Sequence, residues 1–72
     1  MSLNNIKPGE EAIVLSLNID STHERNKLMA LGVLPGASLR LIQRFPSYVI
    51  SIGYTQIALD KETANLISVQ TE

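Results

Sequence analysis

The chain has no cysteine and no tryptophan, a single histidine, and only three aromatic residues, Phe45, Tyr48 and Tyr54. Without cysteine, no disulfide and no thiolate zinc site can staple the fold. With His23 as the lone imidazole and soft ligands missing, nothing assembles a metal site, and His23 reads as exposed helix surface. No nucleophile–base set can be built beyond that one histidine. The carboxylates Glu10, Glu11, Glu24, Asp60 and Glu62 form no spaced pair suited to acid–base work. No glycine-rich phosphate loop occurs. The formal net charge is −1, so no basic field favours nucleic acid. Three scattered aromatics make neither a base-stacking platform nor an aromatic groove for proline-rich peptides. No run approaches the ~18 apolar residues of a membrane span, and the start Met-Ser-Leu-Asn-Asn-Ile lacks the pattern of a signal peptide. The expectation is a cytoplasmic protein that is not an enzyme, with no cofactor and no bound metal.

What is present is alternation. The chain reads as one small domain, residues 1–72, of a size that buries only about 60% of its unfolded surface. Glu11 to Leu17 alternates as a first strand, with Ala12 and Val14 on one face and Ile13, Leu15 and Leu17 on the other. Both faces are apolar, so the inner one stays open. Ser21-Thr22-His23-Glu24 has the spacing of a capping box and opens a helix over about 22–31. Leu28 and Leu31 face its core side; Arg25 and Met29 lie four apart on a neighbouring face. Ser38 to Phe45 is a second strand, with Leu39, Leu41 and Phe45 inward. Tyr48 to Ile52 and Thr55 to Leu59 follow, joined by a turn at Gly53-Tyr54. Asp60 caps a helical turn over about 61–65, with Ala64 packed beneath. Ile67 and Val69 alternate in a last strand, and Thr71-Glu72 is expected to fray. The expected core is Leu28, Leu31, Leu39, Leu41, Ile50, Ile52, Ile57, Leu59, Ile67 and Val69. About five short strands in so small a chain need closure to remove their edges, which calls for a barrel.

The stretch from Lys27 to Gly36 organises the rest. Gly32 follows the last apolar helical position, where a left-handed cap is wanted. Lys27 sits near the helix end, where a cation meets unsatisfied carbonyls. Pro35-Gly36 supplies the central pair of a type II turn. The ordered set Arg25, Lys27-Leu28, Leu31-Gly32, Leu34-Pro35-Gly36, Ile57-Ala58-Leu59, Ala64, Ile67 and Val69 resembles the ferrous iron transport protein A (FeoA) family, over nearly the whole chain. The resemblance implies a mainly β fold: a small SH3-like barrel, with Leu3 to Gly9 as a lead-in that plugs one end. The chain departs from the family at Asp60, where relatives are often basic. It departs again in the short Phe45–Tyr48 connection, where relatives often carry a longer glycine-containing loop.

The resemblance further implies an accessory or regulatory protein of bacterial ferrous iron uptake. Its partner would be FeoB, a membrane transporter with a cytoplasmic G-domain, and no membrane insertion of its own is implied. The residues then expected at the partner surface are Arg25, Lys27, Met29 and Leu34. Methionine repacks readily and arginine is enriched at interfaces. Leu28, Leu31, Gly32, Pro35 and Gly36 are expected to be structural. The alternative is a stand-alone SH3-like regulatory domain related to the C-terminal domains of metal-dependent repressors. This chain carries neither the winged helix nor the dimerisation segment of such repressors.

Overall fold

The alternating segments become five antiparallel strands in the computed structural model, which describes residues 1–72. They are β1 (Glu11–Leu17), β2 (Ser38–Gln43), β3 (Tyr48–Ile52), β4 (Thr55–Leu59) and β5 (Ile67–Thr71). Helix α1 (Thr22–Ala30) joins β1 to β2, and the short helix α2 (Lys61–Asn65) joins β4 to β5. A single 3₁₀ turn, Leu3–Asn5, precedes β1. The strands form one sheet in the order β4-β3-β2-β1-β5. This is the SH3-like fold that was expected, but β4 and β5 do not pair, so the sheet keeps two edges where closure was expected to remove them.

The inner face of β1 is the one carrying Ala12 and Val14. Ala12 pairs with Leu39 and Val14 with Val69, and all four are buried. Leu15 is left outside, where the register shifts between Val14 and Ser16. Leu41, Tyr48, Ile50, Ile57, Leu59 and Ile67 complete the sheet's inner surface. Leu3 and Ile6 are fully buried, as is Ala64 of α2, so the lead-in closes the barrel as expected. Ile19 and Val33, in the connections on either side of α1, also enter the core.

Both ends of α1 have identifiable partners. Ser21 Oγ accepts the Glu24 N–H at 3.3 Å; the reciprocal bond of the capping box is not made. At the other end Gly32 has φ +108. The Gly32 N–H donates to the Met29 carbonyl and the Val33 N–H to the Leu28 carbonyl, both at 3.0 Å. This is the Schellman pattern, in which the residues at the two ends of the longer bond pack together. Leu28 and Val33 are accordingly both buried. The next turn follows at once: the Ala37 N–H donates to the Leu34 carbonyl at 2.9 Å across Pro35 and Gly36, with Gly36 at φ +92. The Gly36 N–H donates to Val14 O at 2.7 Å, and the Val14 N–H to Ala37 O at 2.8 Å. The corner is thus fastened to β1.

The structure corrects four further expectations. Leu31 is not core but 41% exposed, because the Schellman reversal carries Val33 inward in its place. Phe45 is 87% exposed: β2 ends at Gln43, and its register with β3 slips between Leu41 and Gln43, which breaks the alternation. Ile52 only partly enters the core from the end of β3. The C-terminus is not frayed. Thr71 pairs with Ala12, the Glu72 N–H donates to Glu11 O at 3.3 Å, and Ser38 Oγ donates to Glu72 Oε2 at 3.1 Å.

Three predictions follow from this packing. A Cβ at Gly36 meets nothing within 4 Å, so its requirement is purely one of backbone conformation. Gly36→Val is expected to destabilise by about 1–3 kcal/mol through backbone strain, read as a lowered urea midpoint, with Gly36→Asn much milder. Leu59 is buried at 6% exposure. Leu59→Ala is expected to lose about 2–5 kcal/mol, most of the stability of a domain this small, giving a largely unfolded circular dichroism spectrum at room temperature. Asp60 is the N-cap of α2 and accepts the Thr63 N–H at 2.7 Å. Hydrogen bonding from Thr63, its side chain first and its backbone N–H second, holds the Asp60 carboxyl below its ordinary value of 3.8. A lowered folded-state value contributes stability above the unfolded value and loses it as pH falls through the folded one. The melting-temperature advantage over Asp60→Asn is therefore expected at neutral pH and should vanish below 3.8.

Candidate partner-binding surface

Helix α1 is held to the barrel by a narrow foot, since Leu28 is its one buried side chain. The rest of its surface is polar or half-exposed, and an open hollow flanks it on each side. One hollow, about 390 Å³, is lined by Arg25, Asn26 and Met29 of α1, Ser16 and Leu17 of β1, and Pro35. The other, about 200 Å³, lies between α1 and β4. Lys27, Leu28 and Leu31 form one wall, Ile57, Ala58 and Leu59 the other, and Glu24, Asp60 and Thr63 close the rim.

Helical geometry separates the cations. At ~100° per residue, Met29 lies about 40° round from Arg25 and Lys27 about 200° round. The structure therefore brings Arg25 and Met29 onto one flank and places Lys27 on the opposite one. Leu34 stands 42% exposed at the corner before Pro35. Leu31 belongs with Lys27, a placement that follows from its exclusion from the core. The signal for it was in the sequence: a Schellman cap at Gly32 pairs the residue after the glycine with Leu28, which directs Val33 inward and Leu31 outward.

The charges around α1 are uncommitted. The one ion pair in the molecule joins Arg40 and Glu11 across β1 and β2, about half-exposed on both sides, and Arg40 Nη1 also donates to Gly9 O at 3.3 Å. Surface pairs of this kind contribute little, ~0–1 kcal/mol. Arg25, Lys27 and Lys61 have no carboxylate within ion-pair distance. Behind the β2–β3 connection a wider bowl of about 460 Å³ is lined by Arg44, Phe45, Pro46, Ser47, Tyr48, Asp60 and Lys61. Arg44 is already engaged, its Nη2 donating to Asn4 O at 3.2 Å.

His23 is exposed on α1, and no three of the His, Asp and Glu side chains come together. No helix is long and apolar enough to cross a membrane. The features that distinguish this surface are thus grooves, exposed apolar side chains and unpaired charges.

Comparison with known proteins identifies the fold and the family. The FeoA domain model matches residues 1–71. The FeoA protein of Chlorobium tepidum superposes with a TM-score of 0.92 at 26% identity, over 99% of this chain and 70% of that one. FeoA of Stenotrophomonas maltophilia, a prokaryotic SH3 domain protein solved with zinc, superposes at 0.83 with 22% identity, over 97% of this chain and 89% of that one. IdeR of T. acidophilum shares the fold, with a TM-score of 0.90 at 14% identity, over all of this chain and 34% of that one. No curated protein matches the chain. The FeoA model spans nearly every residue and the fold is the same, so this chain belongs to the FeoA domain family, an accessory and regulatory family linked to ferrous iron transport.

Proposed function

We propose that this protein is a cytoplasmic accessory factor of ferrous iron uptake that docks onto the cytoplasmic part of a FeoB-type transporter. The observation that carries the reading is α1: a helix with one buried side chain, flanked by open hollows and carrying cations without partners. The barrel offers surfaces and no convergent set of reactive groups, which suits binding and not catalysis. Such a module acts by binding one conformation of its partner better than another and shifting the population toward it. Arg25 and Met29 form the proposed contact on one flank, with Leu34 at the adjoining corner and Lys27 extending the surface to the other side. Arginine supplies a planar, weakly hydrated cation and methionine an adaptable apolar arm. A second reading, a regulatory domain like those ending metal-dependent repressors, is favoured only by the shared fold with IdeR.

The test pairs stability with binding. Met29→Glu and Arg25→Glu are expected to melt close to wild type, because surface changes usually stay within ~0.5 kcal/mol. In a pull-down with the transporter's cytoplasmic part, with and without guanine nucleotide, both variants are expected to lose binding. Both should also fail to restore ferrous iron uptake in cells lacking the protein. Stable variants that bind and transport normally would move the docking surface away from Arg25 and Met29.

A further inference from the structure

The two edges of the sheet are treated differently. The outer edge of β5 is covered by the start of the chain: Ser2 bridges Ser68, the Val69 N–H donates to Met1 O at 2.7 Å, and the Met1 amino group donates to Val69 O at 3.2 Å. The outer edge of β4 has no such cover. Its pairs with β3 run Ile52↔Thr55, Ser51↔Gln56, Ile50↔Ile57, Val49↔Ala58 and Tyr48↔Leu59. The connection Gly53-Tyr54 has two residues with positive φ only at Gly53, +57, as in a II′ hairpin, where the flanking pair is hydrogen-bonded. Alternation then makes Ile50↔Ile57 and Tyr48↔Leu59 hydrogen-bonded as well, and aims the N–H and C=O groups of Gln56 and Ala58 away from β3. No backbone bond outside the ladder, and no side chain, reaches residues Thr55–Leu59. Nor does β4 carry any of the lysines, prolines or inward charges that usually block an open edge.

This edge forms one wall of the 200 Å³ hollow whose other wall is Lys27 and Leu28 of α1 with Leu31 at its C-cap. The volume lies below the ~300–1,000 Å³ of small-molecule sites, and it lies beside Ala58, one of the two residues whose outward N–H and C=O groups leave this edge two donors and two acceptors. Its lining comes from α1, β4 and the start of α2, so a segment paired with β4 would also touch α1. The rim carries two carboxylates, Glu24 and Asp60, against one ammonium, Lys27. We propose that the groove between α1 and β4 binds an extended polypeptide segment by strand addition to β4, with an apolar side chain seated against Leu28 and Leu31 and a Lys or Arg facing Glu24 and Asp60. Main-chain bonds to Gln56 and Ala58 supply affinity, and the hollow reads the side chains. The inference rests on the docking role proposed above but uses a different flank of α1 from Arg25 and Met29.

The experiment selects a library of random short peptides, displayed on phage, against the full chain. Ala58→Pro is the control, because it removes one outward N–H where an edge strand tolerates proline; Gln56→Lys, which places a charge on the same edge, is the second control. Enriched peptides are expected to carry an apolar residue near a basic one. They are expected to bind Ala58→Pro about tenfold more weakly, the effect of losing one backbone hydrogen bond, and to bind Gln56→Lys more weakly too. In amide exchange by NMR, Gln56 and Ala58 are expected to exchange fast in the free protein and slowly with peptide bound. Three results overturn the proposal: no peptide enriched; peptides that bind wild type and both variants equally; or Gln56 and Ala58 amides that slow with protein concentration alone, which would give the edge to a second copy of the chain. None of these depends on the transporter, so binding to FeoB through Arg25 and Met29 stands or falls separately.

Discussion

Two backbone positions at positive φ, Gly32 and Gly36, govern the path of the chain between β1 and β2. The first stops α1 and folds the chain back so that Val33 meets Leu28 in the core. The second turns it again and ties it to Val14 in the middle of β1. A Cβ at Gly32 would also come within 3.3 Å of Ile52 Cγ2, so a side chain there would have to push the Ile52 side chain aside by a few tenths of an ångström. The position of α1 over the barrel, and hence of every groove beside it, follows from these two turns.

A consequence is that α1 is held by its ends more than by its face. One buried side chain is a small apolar anchor for nine residues, and a helix so short is not stable alone. Its Ser21 cap, the Schellman bonds and Leu28 do the holding. The remaining helical positions carry less packing duty, with Arg25 and Met29 only partly buried. They can carry Arg25, Lys27 and Met29, residues that a barrel of this size has no structural need to display. The same economy operates at the sheet edges. The start of the chain closes the β5 edge, while the β4 edge is lined by a groove and left unpaired.

Family membership and surface chemistry are separate observations. The family places the chain in ferrous iron transport. Within the chain the ionisable groups are scattered: His23 is exposed on α1, and no three of the His, Asp and Glu side chains come together. The shared fold with IdeR, a chain about three times longer, shows that this fold also occurs as a part of larger proteins.

Much of this was legible in the chain itself. Strand alternation, Ser21 and Asp60 as caps, and the glycines at 32 and 36 are local signals, because period, capping and backbone sterics act over a few residues. They placed β1, β3, β4 and α2 at their observed limits and α1 within one residue. The FeoA pattern was legible for the same reason, being carried largely by those corner residues. What the tertiary structure alone decided depended on contacts between distant segments. The inner face of β1 was chosen by pairing with Leu39 and Val69. The outward turn of Phe45 came from a register slip against β3, and the ordering of Thr71 from its partner Ala12. Helical period alone parts Lys27 from Arg25; the packing of Leu28 decided that Arg25 faces β1 and Lys27 faces β4. Alternation sets which residues share a face; only the neighbouring strand or helix decides which face is turned to the core.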